Sequence, residues 1–147
     1  FTTLLERARD NGAATGSDAA VEAPAALRIL SVEDNPFGRV VLNAILQELG
    51  HQTEFIGLGE GAVERLQQGS FDAVLMDMVL PGIDGIEAIR RIRAEAGPHG
   101  RIAIVGVSGR DNDEKAALAA GADAFILKPV SPRVLAQVLA RILRRRR

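Results

Sequence analysis

The 147-residue sequence contains no cysteine. This absence excludes disulfide bonds, thiolate metal sites and catalysis by a thiol, and it is consistent with a reducing compartment. The sequence also lacks any run of the roughly 20 apolar residues that a transmembrane helix needs, and its first residues show no basic stretch followed by an apolar signal core. We therefore expect a cytoplasmic protein with no membrane segment in this part of the chain.

A large excess of charge is also missing. Lysine and arginine total 18, aspartate and glutamate total 19, and the formal net charge is −1. This balance gives no general attraction to nucleic acid, so we expect no nucleic-acid partner. The local basic run at residues 144–147 is typical of a solvated helix end.

The length and composition are those of one ordinary globular domain, with 47% hydrophobic and 25% charged residues. We assign residues 27–143 to this domain and residues 144–147 to a basic C-terminal tail. Small and acidic residues dominate positions 10–26, so residues 1–26 are predicted to be a linker or the tail of a preceding domain. Because the first residue is Phe1 rather than methionine, we expect the sequence to be part of a longer protein.

Strand-like and helix-like segments alternate five times along the chain. This alternation predicts an α/β fold, a five-stranded parallel sheet flanked by five helices. The later strands are nearly continuous apolar runs, as expected of strands that are covered on both faces. The predicted strands are Leu27 to Val32, Gln52 to Ile56, Ala73 to Asp77, Ile102 to Ser108 and Ala124 to Leu127.

Two helices have clear start signals. Asn35 followed by Pro36, and Ser131 followed by Pro132, each place a capping side chain before a proline at the first helical position. Three further helices have less distinct ends. They are predicted near Gly59 to Gln68, Gly85 to Ala94 and Asp111 to Ala120.

Polar side chains stand at the ends of four predicted strands. Glu33 and Asp34 follow the first, Asp77 ends the third, Ser108 ends the fourth and Lys128 follows the fifth. Ligands bind at the carboxyl ends of the strands in such sheets, so these groups should converge. Three carboxylates in one place would repel each other, and a hard divalent cation, Mg²⁺ or Mn²⁺, is the usual way to offset that repulsion.

A lysine and a hydroxyl beside such a cation form a cradle for a tetrahedral oxyanion. A carboxylate nucleophile at this point suggests an aspartyl phosphate on Asp77. Taken singly, Asp34 could be a helix cap, Asp77 a turn former and Lys128 a solvated loop residue. Their joint placement at strand ends favours the functional interpretation.

Other motifs carry no predicted role. The glycines at 57, 59 and 61 lack the spacing of a dinucleotide-binding motif and are interpreted as a flexible loop. His51 and His99 have no second ligand at metal-binding spacing, so both are predicted to be exposed and without function.

The segments VEDN, VLMDMVLPGIDG, VSGR and GADAFILKP resemble the receiver domains of response regulators and hybrid histidine kinases, over roughly Leu27 to Leu143. The resemblance implies a flavodoxin-like (βα)5 fold, with Asp77 as phosphoacceptor. It also implies a moving surface formed by the fourth helix, fifth strand and fifth helix, and a cis peptide before Pro129. Further implied roles are metal binding by Glu33, Asp34, Asp77 and the backbone carbonyl of Val79, phosphoryl contacts from Ser108 and Lys128, and switching by Ser108 and Phe125.

The sequence departs from the family pattern in several places. Glu33 replaces the more frequent first aspartate, so we expect it to reach the metal less directly than Asp34. Phe125 replaces the more frequent tyrosine and cannot form a phenolic hydrogen bond. Gly109 stands where alanine is commoner, and with Gly106 it is expected to loosen this edge of the site.

The resemblance implies partners as well as residues. A histidine kinase or histidine phosphotransfer protein would donate the phosphoryl group, and a downstream protein would recognise the switched surface. Such a receiver catalyses only its own phosphorylation and dephosphorylation. We expect the C-terminal receiver of a hybrid histidine kinase, with a stand-alone single-domain response regulator as the alternative. An aspartate-nucleophile phosphatase is disfavoured, because Val79 stands where such enzymes need an acid.

Overall fold

The computed structural model describes residues 26–145. Five strands alternate with five α-helices, and short 3₁₀ turns at Gly59–Gly61 and Pro98–Arg101 precede α2 and β4. The elements are β1 (Arg28–Val32), α1 (Pro36–Glu48), β2 (Gln52–Ile56), α2 (Ala62–Gln68), β3 (Ala73–Asp77), α3 (Gly85–Arg93), β4 (Ala103–Ser108), α4 (Asp113–Ala120), β5 (Ala124–Leu127) and α5 (Pro132–Arg145). The predicted α/β architecture is confirmed.

All strand pairs are parallel, and the spatial order is β2-β1-β3-β4-β5. One face of the sheet packs against α1 and α5, and the other face packs against α2, α3 and α4. Every residue of β3 is buried, because this strand has a neighbour on each side and helices above and below. The chain order reverses direction at β1, so β1 and β3 flank the point where such sheets bind ligands.

The helix starts follow the predicted capping chemistry. Asn35 Oδ1 accepts hydrogen bonds from the amides of Phe37 and Gly38, at 2.8 and 3.2 Å, with Pro36 as the first residue of α1. Ser131 Oγ accepts from the amide of Val134 at the start of α5. The predicted helices near Gly59 and Asp111 each begin later than expected, since a 3₁₀ turn or a simple turn occupies their first residues.

The prediction that His51 is exposed is wrong. His51 is buried, and its Nδ1 accepts a hydrogen bond from the amide of Leu27 at 3.1 Å. Burial lowers the pKa of His51, and the nearby charge of Asp72 opposes this only in part. The residue follows the end of α1 and closes over the start of β1, a contact that neighbouring sequence does not reveal. His99 is half-buried rather than exposed.

Across residues 26–145, no helix is both long and apolar enough to span a bilayer. Arg144 and Arg145, predicted as part of a basic tail, continue α5. Arg146 and Arg147 lie outside the described residues, as does the predicted N-terminal linker up to residue 25.

Candidate functional site

Four strand ends meet at one edge of the sheet. Glu33 and Asp34 directly follow β1, Asp77 ends β3, Ser108 ends β4 and Lys128 directly follows β5. These four strands are consecutive neighbours in the sheet. The structure therefore brings all five predicted polar residues to the carboxyl edge, where α/β sheets bind ligands.

Three carboxylates converge at this edge. Glu33, Asp34 and Asp77 each offer one oxygen, and these oxygens lie within 4.8 Å of one another. Glu33 and Asp77 are only 2% and 6% exposed, whereas Asp34 is exposed. Carboxylates this close repel each other, and hard oxygen donors are the ligands that Mg²⁺ prefers. The donor set of this site therefore fits a divalent cation such as Mg²⁺.

The Glu33 carboxylate is held over the first turn of α1. Its Oε2 accepts from the amide of Asn35 at 3.1 Å, and its main-chain carbonyl accepts from Arg39 Nε at 2.7 Å. A Cβ at Gly38 would lie 3.0 Å from the Glu33 carboxylate carbon. The missing side chain at Gly38 thus leaves room for glutamate, which is longer than the aspartate commoner at this position.

Lys128 partly balances the negative charge. Its Nζ lies 3.1 Å from Asp77 Oδ2 and 3.4 Å from Glu33 Oε1. Burial alone would lower the pKa of Lys128, but its hydrogen bond to Asp77 and the charges of Asp77 and Glu33 raise it overall. Burial raises the pKa of Glu33, and Asp77 adds to this, while the Asn35 amide and Lys128 oppose it. Lys128 is therefore held as an ammonium between two carboxylates, and its peptide bond to Pro129 is cis.

The second oxygen of Asp77 is bound by the chain that follows it. Asp77 Oδ1 accepts from the amide of Val79 at 3.1 Å, and the side chain of Val79 is exposed. The next loop is fixed by Glu60, whose Oε2 accepts from the amide of Ile83 at 3.1 Å. The Asp77 carboxylate is thus fixed through both oxygens, by Val79 on one side and Lys128 on the other.

Ser108 has a different partner. Its hydroxyl donates to Asp113 Oδ2 at 2.6 Å and accepts from the amide of Arg110 at 3.1 Å. The Arg110 guanidinium also contacts Asp113 Oδ2, at 3.1 Å. The hydroxyl of Ser108 is therefore at the predicted strand end but is directed to the first residue of α4.

Phe125 lies on β5, opposite Gly106 of β4 in the register. A Cβ at Gly106 would lie 3.3 to 3.4 Å from side-chain atoms of Ala117, Met78 and Phe125. The small residue therefore makes room for three neighbouring side chains, and Phe125 remains half-buried beside them.

Sequence reasoning missed four residues that shape the site. Gly38, Arg39, Glu60 and Asp113 all lie in loops or first helical turns. An acidic residue in the first turn of a helix has an ordinary explanation in the helix dipole, so Asp113 gave no separate signal. Only the fold shows that Gly38, Arg39 and Asp113 contact residues at the strand ends. Glu60 instead contacts the loop after β3.

Comparison with known proteins agrees with this geometry. The response regulator receiver domain family matches residues 29–140, more than half of the chain. The sensor protein GacS of Pseudomonas syringae pv. syringae is 35% identical over 116 residues, which are 76% of this chain and 13% of GacS. The transcriptional regulatory protein TcrA of Mycobacterium tuberculosis is 35% identical over 127 residues, which are 86% of this chain and 47% of TcrA. The chain thus spans less than half the length of these curated relatives.

Solved structures give the same assignment. The receiver domain of the sensor histidine kinase PA1611 from Pseudomonas aeruginosa PAO1, solved with a magnesium ion in its active site cleft, is 34% identical, with a TM-score of 0.73. The match covers 81% of this chain and 98% of that one. The family match, the similarity to receivers of sensor kinases and the shared fold lead to one conclusion: the chain belongs to the response regulator receiver domain family of two-component systems.

Proposed function

We propose that Asp77 accepts a phosphoryl group from a phosphohistidine of a histidine kinase or histidine phosphotransfer protein. The observation that carries this proposal is the buried Asp77 carboxylate, which lies 3.1 Å from the Lys128 ammonium and beside two further carboxylates. This arrangement combines a nucleophile, a cation that can neutralise phosphoryl charge, and oxygen ligands for a metal.

The transfer is an exchange of two bonds at phosphorus. A carboxylate oxygen of Asp77 forms an O–P bond while the N–P bond of the donor histidine breaks, and the released imidazole nitrogen takes a proton from water. The product is an acyl phosphate on Asp77. Lys128 is already next to the carboxylate. After the transfer, its ammonium can form an ion pair with a negatively charged phosphoryl oxygen.

The metal ligands would be Glu33, Asp34, Asp77 and the backbone carbonyl of Val79. Bound Mg²⁺, or Mn²⁺ with the same oxygen ligands, would neutralise charge on the carboxylates and on the transferring phosphoryl group. Two observations support this assignment, the 4.8 Å carboxylate cluster and the magnesium ion in the cleft of the similar PA1611 receiver domain.

The acyl phosphate would act as a switch. Ser108 and Lys128 would contact phosphoryl oxygens, Phe125 would repack beside Gly106, and the surface of α4, β5 and α5 would then bind a downstream protein. The protein would act in the cytoplasm. Residues 27–143 would form the receiver domain, and residues 1–26 would be a linker or the tail of a preceding domain.

We further propose that the parent is a hybrid histidine kinase with this receiver at its C-terminus. The similarity to GacS, of which the chain spans 13%, supports this parent. The coding sequence upstream of Phe1 tests it. An ATP-binding kinase core there is the expected result, and a parent without one would contradict the proposal.

Chemical labelling tests the phosphoacceptor. The protein is incubated with acetyl phosphate and Mg²⁺, and the acid-labile, hydroxylamine-sensitive label is mapped. We expect label on Asp77, none in Asp77→Asn, and wild-type labelling in Asp111→Asn, which changes an exposed aspartate in the turn before α4. If Asp77→Asn is labelled as strongly as the wild-type protein, the assignment is overturned.

A further inference from the structure

The hydroxyl of Ser108 makes its hydrogen bonds away from Asp77. The hydroxyl donates a hydrogen bond to Asp113 Oδ2 at 2.6 Å, and its oxygen accepts one from the amide of Arg110 at 3.1 Å. Ser108 is 0% exposed, so water cannot replace either partner easily. A buried hydroxyl keeps a hydrogen-bond partner, and here that partner is a carboxylate, which makes the bond charge-assisted.

The backbone of Ser108 is fixed on both sides. The carbonyl of Ser108 accepts from the amide of Lys128 at 2.8 Å, and the carbonyl of the preceding Val107 accepts from the amide of Met78 at 3.0 Å. These bonds tie the end of β4 to β5 and to the residue after Asp77. The hydroxyl can therefore change partners by rotation about the Cα–Cβ bond, without movement of the strand.

We propose that Asp113 is a positioning residue that holds the Ser108 hydroxyl in the unphosphorylated arrangement and thereby opposes the switch. This inference rests on the proposed phosphorylation of Asp77. To donate to a phosphoryl oxygen, the Ser108 hydroxyl must break its hydrogen bond to Asp113. The amide of Arg110 then loses its hydrogen-bond acceptor. The hydroxyl is therefore linked to the loop of residues 109–112 and, through this loop, to the start of α4.

The Ser108 to Asp113 bond is the main element of this restraint. The side chain of Arg110 is 63% exposed, and ion pairs exposed to solvent contribute little. Removing the Arg110 side chain should consequently matter much less than removing the Asp113 carboxylate. Arg110→Ala therefore serves as a comparison within the same loop.

Binding of beryllofluoride in the presence of Mg²⁺ measures the restraint, since this ion is a phosphoryl mimic. We expect Asp113→Ala to bind beryllofluoride at least about fivefold more tightly than the wild-type protein, because no Ser108 to Asp113 hydrogen bond has to be broken. Asp113→Asn should give a smaller gain, since its amide oxygen still accepts from Ser108 without the charge. Glu114→Ala removes an exposed acid from the same helical turn and should leave the affinity unchanged.

A double-mutant cycle separates this restraint from a general effect on α4. In a Ser108→Ala background the Asp113→Ala change should no longer alter beryllofluoride affinity. An equal gain in beryllofluoride affinity in both backgrounds, or no gain from Asp113→Ala in the wild-type background, would overturn the inference while leaving Asp77 as phosphoacceptor. Failure of the wild-type protein to bind beryllofluoride would overturn the proposed function, and this inference with it.

Discussion

Gly85 packs against the backbone of Asp77 with no space for a side-chain carbon between them. A Cβ at Gly85 would overlap the carbonyl oxygen of Asp77 and lie 2.7 Å from Met78 Cα. The amide of Gly85 donates to the carbonyl of Met78 at 3.0 Å, so α3 begins directly against the end of β3. A glycine that begins a helix thus fixes the position of the proposed phosphoacceptor.

Gly85→Ala should therefore displace Asp77 and destabilise the fold, by about 1–3 kcal/mol for the overpacking. We expect slower labelling of Asp77 by acetyl phosphate and a lower melting temperature. Gly61→Ala is the matched control, because among the described residues other than its chain neighbours only Ile56 comes within 4 Å of a Cβ at Gly61, at 3.9 Å. If Gly85→Ala has the same melting temperature and the same rate of Asp77 labelling as the wild-type protein, the close packing does not position Asp77.

Metal affinity should depend on Asp34 more than on Glu33. Both Glu33 oxygens already have partners, Asn35 and Lys128, whereas Asp34 is exposed at the same cluster. We expect Asp34→Asn to weaken Mg²⁺ binding by at least about tenfold and Glu33→Gln to weaken it less. The chain has no tryptophan or tyrosine, so calorimetric titration is the suitable measurement. Unchanged binding in Asp34→Asn would locate the metal elsewhere.

Lys128 should couple the phosphoryl group to the distant surface. Lys128→Ala is expected to retain some phosphorylation of Asp77 but to lose most of the beryllofluoride-induced chemical-shift changes around Ser108 and Phe125. The reason is that this variant lacks the ammonium that we propose contacts the phosphoryl oxygen. Lys128→Arg keeps the charge and is the matched control. Shift changes of wild-type size in the alanine variant would show that another residue performs the coupling.

The buried His51 should make stability depend on pH. Its pKa is lowered in the folded protein, chiefly by burial, so between that pKa and the unfolded value of about 6.5 the unfolded chain binds more protons. The contribution of neutral His51 to the free energy of unfolding is therefore fully present above a pH of about 6.5. This contribution decreases as the pH drops from there towards the pKa of the folded protein.

His51→Asn keeps an acceptor for the Leu27 amide and cannot take up this proton. We expect thermal melts of the wild type and of this variant to diverge below pH of about 6.5 and to stay parallel above it. His99→Asn controls for the loss of a histidine. Parallel curves for wild type and His51→Asn down to pH of about 5 would contradict the assignment of this pH dependence to His51.

The sequence alone predicted the elements whose signals are local. All five strands appear within one residue of their predicted ends. For β3 and β4 the signal was a short apolar run, as expected of buried parallel strands. Asn35 and Pro36 marked the start of α1 correctly, because capping involves only the next few residues. The convergence of Glu33, Asp77 and Lys128 also followed from the sequence, because parallel strands end at one edge.

Other properties were decided only by the tertiary structure. His51 is buried because it meets Leu27, 24 residues earlier in the chain. The direction of the Ser108 hydroxyl depends on where α4 begins, and Asp113 rather than Asp111 is the first residue of that helix. Burial, side-chain rotamers and non-local hydrogen bonds depend on neighbours that the fold brings together, so spacing along the chain could predict which groups reach the site but not which partners they choose there.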